Sequence, residues 1–172
     1  MEDTIDVLIS GERINARIRE LAKQINDDYA GKSVTLLTSL KGACFFSCEL
    51  AKHLTVPVFL EYIQVASYEG TSSTGVITMK LDVQDSVING KHVLIIEDII
   101  DTGRTLSIIK DLIQTHNPAS LAVCSLLDKC EKHIVPINGD YIGFNIGNDF
   151  VVGYGLDLDQ KYRNLPYIGI VR

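Results

Sequence analysis

Three carboxylates lie close together after Val93, and their spacing is the strongest chemical signal in the sequence. Glu97 and Asp98 are adjacent at the end of an apolar run, and Asp101 follows three residues later. Carboxylates about 5 Å apart repel each other by roughly 3 kcal/mol at an effective dielectric near 20, so a bound group must stabilise them. A hard cation or the hydroxyl groups of a sugar would do so. The alternative is a helix N-cap beside solvated acids, but a cap needs only one acid.

The residues that follow Asp101 are typical of an anion site. They form a tight turn that leads into a predicted helix over 105–115, and they are Thr102, Gly103, Arg104 and Thr105. A helix N-terminus presents unpaired N–H groups and the positive end of the helix dipole, which suits a phosphate. The sequence contains no GxxxxGK[ST], and Gly153-Tyr154-Gly155 lacks the third glycine of GxGxxG. We therefore expect neither a P-loop nor a dinucleotide fingerprint.

The elements that would position these residues alternate between apolar strands and amphipathic helices. Helices are predicted from the N-cap Ser10 to Gly31, over 43–53 and over 105–115. Strands are predicted over 34–37, 58–65, 76–81, 93–96, 121–127, 141–146, 150–152 and 167–171. This alternation predicts an α/β fold with a largely parallel central sheet flanked by helices, and a smaller C-terminal subregion beside it. Ligands of such sheets bind beyond the carboxyl ends of the strands.

The composition bounds the domain organisation and excludes several classes of function. The 172 residues are 46% hydrophobic, and no linker or repeat divides them, so a single domain over 1–172 is predicted. A formal net charge of −6 disfavours a nucleic-acid partner. No apolar run reaches the roughly 18 residues of a membrane span, and no signal peptide is recognisable. The four cysteines are scattered, which predicts free, largely buried thiols and a cytoplasmic protein without a membrane partner.

The segment from Glu97 to Thr105 resembles the phosphoribosyl pyrophosphate signature of the type I phosphoribosyltransferases at every defining position. Further segments are similar to the hypoxanthine-guanine branch of that family: residues 40–42, the Ser/Thr/Gly loop that starts at Ser67, Lys129, and residues 150–157. The resemblance covers the chain from residue 5 to its last residue. One departure is that some members have Lys-Gly-Gly where this chain has Lys41-Gly42-Ala43.

This resemblance implies the type I phosphoribosyltransferase fold, with a small hood subregion, and a role in purine salvage. The implied reaction is the Mg²⁺-dependent transfer of a 5-phosphoribosyl group from phosphoribosyl pyrophosphate to hypoxanthine or guanine. The products would be IMP or GMP and pyrophosphate. The resemblance also implies a homodimer or a homotetramer.

The resemblance further implies a role for individual residues. Glu97 and Asp98 would bind the ribose hydroxyl groups and, directly or through water, a Mg²⁺, and Asp157 would help to hold a second Mg²⁺. Asp101 would be the catalytic general base beside N7 of the purine. The implied substrate-binding residues are Leu40, Lys41, Gly42, Glu97, Asp98, Ile99, Ile100, Asp101, Thr102, Gly103, Arg104, Thr105, Lys129, Phe150, Val151, Asp157 and Arg163.

Three groups of these residues have distinct implied tasks. Lys41, Gly42 and Arg163 would face the pyrophosphate, with a cis peptide between Leu40 and Lys41. Lys129 would donate to O6 of the purine, which excludes adenine because an ammonium group offers no acceptor. Phe150 would stack on the base, and Val151 would supply main-chain hydrogen bonds. A lid loop that includes Ser67, Tyr68, Gly70 and Gly75 would close over the site.

Two alternatives remain open. One is a relative that prefers xanthine or another 6-oxopurine, because the contacts to position 2 of the base are expected to be main-chain contacts. The other is a regulator that senses phosphoribosyl pyrophosphate without catalysis. A pure sensor has no need for Asp101 and Lys129 together, and the acidic composition argues against the nucleic-acid surface that a regulator would use.

Overall fold

A six-stranded sheet forms the centre of the fold, and its strands lie in the order β4-β3-β2-β5-β6-β7. The computed structural model describes residues 4–67, 77–81 and 83–172, and the side chains of 66, 67 and 77–81 are not included. The strands are β2 (Val34–Ser39), β3 (Val58–Ser67), β4 (Ile77–Leu81), β5 (His92–Ile100), β6 (Ser120–Asp128) and β7 (Tyr141–Asn145). Strand β4 is antiparallel to β3, whereas the other neighbouring strands are parallel.

A smaller antiparallel sheet lies beside the central one and contains the first and the last strand of the described residues. Its strands are β1 (Ile5–Ile9), β8 (Val151–Val152) and β9 (Ile168–Val171), in the order β1-β9-β8. Strand β9 is central, with Ile5 opposite Val171 and Val151 opposite Ile170. This sheet, together with the turns that connect β8 to β9, corresponds to the predicted C-terminal subregion, but it also contains the N-terminal strand β1, and β7 belongs to the central sheet instead.

The helices cover both faces of the central sheet. They are α1 (Gly11–Asp28), α2 (Cys44–His53), α3 (Asp85–Ile88) and α4 (Arg104–Thr115), and a short 3-10 helix spans Cys130–Lys132. Along β5, Leu94 and Ile96 belong to the core cluster that contains α1 and α2, whereas Val93 and Ile95 belong to the cluster that contains α4. Because alternate residues of a strand point to opposite faces, β5 is buried on both sides.

Parallel pairing brings the ends of three strands to one edge of the sheet. Strand β5 lies between β2 and β6, with Glu97 opposite Ser125 and Ile100 opposite Asp128. The segments that follow β2, β5 and β6 are therefore neighbours, although they are far apart in the sequence. This edge collects the segments at 40–42, 101–105 and 129 that the sequence predicts to bind substrate.

The α/β fold with a largely parallel sheet is confirmed, and several details differ from the sequence prediction, among them helix α3 and the 3-10 helix, which were not predicted. Strand β5 continues to Ile100 rather than ending at residue 96, because β6 pairs with it over its whole length. Strand β1 was not predicted, since its partner β9 lies at the other end of the chain. The prediction of largely buried thiols is wrong: Cys124 is buried, but Cys48 and Cys130 are exposed and Cys44 is partly exposed.

Two further predictions concern the lid loop and the membrane. Ser67 is the last residue of β3, whereas Tyr68, Gly70 and Gly75 lie outside the described residues. Of the helices in the described part of the chain, none combines the length and the apolar character needed to cross a membrane.

Candidate active site

A cleft opens where β5 turns into α4, and the predicted anion-binding residues form its wall. Gly103 is the N-cap of α4 and has a φ of 81°, and a Cβ at this position would lie 2.4 Å from Ile137 Cγ2. Only glycine fits this combination of positive φ and close packing. The lining consists of Glu97, Ile99, Ile100, Asp101, Thr102, Gly103, Thr105 and Leu106. Leu106 was not among the predicted residues, and Arg104 is exposed at the start of the helix.

Of the two adjacent acids at the end of β5, Glu97 is buried and Asp98 is partly buried, and the pKa of each carboxyl group is raised. Burial, together with the charge of Asp98, raises the pKa of Glu97 well above its usual range, and a hydrogen bond from Ser39 opposes this shift. Burial raises the pKa of Asp98 to about 6. Hydrogen bonds from backbone N–H groups and the charge of Arg163 lower this pKa, but their effect is smaller than that of burial. Oε1 of Glu97 is buried without a hydrogen-bond partner in the described structure. The pair is therefore poised to accept a cation or hydroxyl donors.

A second group of predicted residues meets beside Asp98, between the central sheet and the smaller one. The peptide bond between Leu40 and Lys41 is cis, which confirms the prediction. Nη2 of Arg163 lies 2.7 Å from Oδ1 of Asp157, and Nη1 donates to the carbonyl oxygen of Gly155 at 2.6 Å. The structure thus brings together the residues that were predicted to face pyrophosphate.

One residue of this group was missed by the sequence analysis. Gln160 accepts from Nζ of Lys41 at 3.0 Å, and its backbone N–H donates to Oδ2 of Asp157 at 2.8 Å. It adopts a φ of 67°, in a turn where Asp159 and Tyr162 also have positive φ. Nothing in the local sequence indicates the contact with Lys41, because the two residues are 119 positions apart in the chain.

Lys129 lies on the other side of the cleft, at the end of β6. Its side chain is buried, with 5% of the residue exposed, and burial lowers its pKa while the charges of Asp101 and Asp149 oppose that shift. Lys132, which was not predicted, places Nζ 3.0 Å from Oδ1 of Asp101. The Lys129 ammonium group thus lies within electrostatic range of the acid that was predicted to be the general base.

Phe150 and Val151 occupy the start of β8 and have opposite environments. The Phe150 residue is 54% exposed, whereas Val151 is buried and pairs with Ile170 of β9. An aromatic ring that is not used in the core is available for stacking on a ligand. The sheet fixes the Val151 backbone, which makes its remaining polar groups suitable for directional hydrogen bonds.

The acids of the cleft offer only part of the ligand set that a metal ion needs. Within the described residues, no group of three His, Cys, Asp or Glu side chains could hold a metal by itself. Mg²⁺ commonly takes one or two protein carboxylates and completes its shell with water and substrate phosphates. Glu97 and Asp98 offer such a pair, and Oε1 of Glu97 is unpartnered. The residues present fit a Mg²⁺ that shares its ligands with the substrate.

The backbone of Gly42 lies so close to Gly155 that a methyl group at position 155 is expected to destabilise the fold. Gly155 has a φ of 104°, and a Cβ there would lie 1.9 Å from the carbonyl oxygen of Gly42. We expect Gly155→Ala to lower the free energy of unfolding by at least about 2 kcal/mol, because backbone must move and φ is unfavourable. Urea denaturation measures this. The control is Gly147→Ala, whose Cβ would meet only Asp149 Oδ2 at 4.0 Å; equal stabilities of the two variants would contradict the prediction.

Comparison with known proteins agrees with this geometry. The phosphoribosyl transferase domain family matches residues 6–159. A hypoxanthine-guanine phosphoribosyltransferase of Streptococcus pneumoniae is 46% identical over 171 residues, which cover 99% of this chain and 94% of that protein. A hypoxanthine-guanine phosphoribosyltransferase from Mycobacterium tuberculosis is 45% identical, and the match covers 97% of this chain and 86% of that protein.

A solved structure shows the same relationship. The crystal structure of a hypoxanthine-guanine phosphoribosyltransferase from Bacillus anthracis superposes with a TM-score of 0.93 at 40% identity, and the match covers 99% of this chain and 100% of that one. The sheet order, the cleft and the sequence similarity lead to one assignment. The chain belongs to the hypoxanthine-guanine phosphoribosyltransferase family.

Proposed function

We propose that this enzyme transfers the 5-phosphoribosyl group of phosphoribosyl pyrophosphate to hypoxanthine or guanine, and releases pyrophosphate. The observation that carries the proposal is the position of Asp101. It lies in the wall of the anion cleft and within the charge environment of the buried Lys129. A phosphate-bearing sugar and a base with a carbonyl group would therefore meet beside the same carboxylate.

The ribose donor is held by the strand, turn and helix around the cleft. The backbone N–H groups of the turn and the start of α4 would bind the 5′-phosphate, and the residues concerned are Thr102, Gly103, Arg104 and Thr105. Glu97 and Asp98 would accept hydrogen bonds from the ribose hydroxyl groups. Ile99 and Ile100 line the same cleft and exclude water from the sugar.

Mg²⁺ would be held by Glu97 and Asp98, and a second ion by Asp157. When bound, the metal supplies positive charge that stabilises the departing pyrophosphate. Asp157 is paired with Arg163 and with the backbone of Gln160, so it keeps its orientation. Lys41, Arg163 and the backbone at Leu40 and Gly42 would contact the pyrophosphate oxygens.

The purine would lie between Lys129 and Phe150. Lys129 donates to O6, Phe150 stacks on the ring, and the Val151 backbone binds the edge of the base that carries position 2. Asp101 accepts the proton from N7 as N9 attacks C1 of the ribose, so the positive charge that develops on the purine is removed. We propose that the predicted lid loop, which includes Ser67, Tyr68, Gly70 and Gly75, covers the site before this step and excludes water.

The decisive assay compares four bases with Mg²⁺ and phosphoribosyl pyrophosphate under steady-state conditions. We expect turnover of hypoxanthine or guanine and strong discrimination against adenine, whose amino group would leave the Lys129 donor unpaired. Preferred turnover of xanthine would select the xanthine-preferring alternative. Donor binding without turnover of any base would select the sensing regulator instead.

The pKa of Asp98 predicts how Mg²⁺ binding depends on pH. Because burial raises this pKa to about 6, the carboxyl group is mostly protonated at pH 5 and mostly ionised at pH 7. A cation must displace that proton at pH 5, so we expect its affinity to be about 10-fold weaker there than at pH 7. Titration with MgCl₂ can be followed through the amide signal of Ile99, whose N–H donates to Asp98 Oδ1 at 2.9 Å. Equal affinities at both pH values, or unchanged binding in Asp98→Asn, would refute this.

We propose that residues 1–172 act as one domain, in the cytoplasm, as a homodimer or homotetramer. Several large apolar side chains are exposed and could contact another chain, among them Phe45, Phe59 and Leu60 at 48%, 54% and 43%; Phe59 and Leu60 point to opposite faces of β3. Light scattering at micromolar concentration should therefore give a mass about two or four times the 19.0 kDa of one chain. A mass of 19.0 kDa alone would count against this proposal.

A further inference from the structure

The loop that follows β6 is attached to the anion-binding turn at both of its ends. The backbone N–H of Lys129 donates to the carbonyl oxygen of Ile100 at 2.9 Å, and that of Ile134 donates to the carbonyl oxygen of Thr102 at 3.1 Å. Between these two attachments lies the 3-10 helix, closed by the Lys132 N–H, which donates to Lys129 at 2.8 Å. The loop is therefore a small closed structure that lies against the turn carrying Asp101.

A buried hydrogen bond closes this loop from within. Nε2 of His133 lies 2.6 Å from Oδ1 of Asp128, and the two side chains are only 13% and 9% exposed. An ionised carboxylate can only accept, so the imidazole nitrogen is the donor. Short hydrogen bonds to a charged group are stronger than neutral ones, above all where water is excluded. The first and last residues of the segment 128–133 are thereby held together.

The residue that precedes His133 is the one that reaches the proposed general base. Nζ of Lys132 lies 3.0 Å from Oδ1 of Asp101, but the two side chains are 41% and 44% exposed. Ion pairs this exposed gain little from their charges and lose side-chain entropy, so they do not fix their own geometry. The position of the Lys132 ammonium group must depend on how firmly its backbone is held.

We propose that His133 and Asp128 are positioning residues, whose hydrogen bond holds the 3-10 helix so that Lys132 keeps Asp101 oriented toward the purine. The inference rests on the proposed role of Asp101 in phosphoribosyl transfer. In this transfer neither His133 nor Asp128 contacts a substrate. Their effect on kcat is proposed to pass through Lys132, whereas a displacement of Lys129, which lies in the same segment, would raise the KM for hypoxanthine and can be separated in that way.

The test is a double-mutant cycle on kcat for hypoxanthine. We expect His133→Ala and Lys132→Met each to lower kcat by about 10-fold, with the KM for phosphoribosyl pyrophosphate unchanged within roughly 2-fold. Both changes remove the effect of the Lys132 ammonium group on Asp101. The kcat of the double variant should therefore be no more than about 2-fold lower than that of Lys132→Met. His133→Gln keeps a donor at a similar position and should recover most of the loss. His116→Ala removes a His–Asp contact of 3.0 Å far from the cleft and is the matched control.

The proposal would be overturned if the losses in kcat of the two single variants multiplied in the double variant. It would also be overturned if His133→Ala lowered only the melting temperature and left kcat unchanged. A second readout does not depend on activity. In a crystal structure of His133→Ala, Nζ of Lys132 should have left Asp101, and an ion pair retained near 3.0 Å would also overturn it. Should His133→Ala not fold, Asp128→Ala, which removes the acceptor, takes its place in the cycle. Absence of turnover in the unmodified enzyme would instead refute the proposed function, and the crystal structure would still decide the positioning role.

Discussion

Asp101→Asn is expected to lower kcat about 10²- to 10⁴-fold, which is the usual contribution of general-base catalysis. Asparagine has nearly the same shape as aspartate and can still accept a hydrogen bond, but it cannot take the proton from N7. The substitution therefore leaves the cleft intact and removes one chemical step. Steady-state curves that vary the purine and the donor separately measure the effect.

The donor curve distinguishes a base from a sugar ligand. The helix-start N–H groups and the acids Glu97 and Asp98 remain in this variant, so the KM for phosphoribosyl pyrophosphate should hardly change. Asp111→Asn, on the exposed part of α4, is a matched control that should leave all constants as they are. If Asp101→Asn kept a near-normal kcat and raised only the KM for the donor, Asp101 would be a ribose-binding residue instead.

Lys129→Ala is expected to weaken kcat/KM for hypoxanthine roughly 10- to 150-fold, the range for loss of a charge-assisted hydrogen bond in a site shielded from water. Lys129 is buried at the end of β6, so its ammonium group has been removed from water before the purine arrives. Its hydrogen bond to O6 is then made without a further desolvation cost. Assays with hypoxanthine and adenine give the discrimination directly.

The same variant should lose selectivity as well as activity. Without the donor, adenine no longer meets an unpaired ammonium group, so the ratio of kcat/KM for hypoxanthine over adenine should fall. Lys23→Ala removes an exposed lysine whose partner is Asp27 on α1, and it should change neither constant. A ratio that stays constant in Lys129→Ala would show that another group reads O6.

The sequence predicted those parts of the site that lie on one continuous segment. From Glu97 to Thr105 a strand, a turn and a helix start follow one another, and each has a local signal in residue type and spacing. The cleft formed by this segment needs no distant partner to be recognised. By contrast, β5 extends to Ile100 because β6 pairs beside it, and no local signal predicts that extension.

The contacts that the sequence analysis missed join residues remote in the chain. Lys132, in the segment after β6, contacts Asp101, which follows the neighbouring strand β5. Gln160 contacts Lys41, from which it is separated by 119 residues in the sequence. A lysine or glutamine in a loop is ordinarily solvated, so its type alone indicates no role. Only the parallel register of the sheet and the course of the turns beyond β8 bring these side chains to the site.

The central position of β9 in the smaller sheet has a consequence for the order of folding. Strands β1 and β8 have no hydrogen bonds to each other, and both pair with residues 168–171. During synthesis, strands β2 to β7 and the anion cleft can form before this segment has left the ribosome, whereas β1 must wait for a partner more than 160 residues away. The half of the site that binds the sugar phosphate would thus be complete first, and the wall carrying Phe150 and Val151 would be added last. Nascent chains arrested before residue 168 should accordingly bind the ribose donor more readily than the purine.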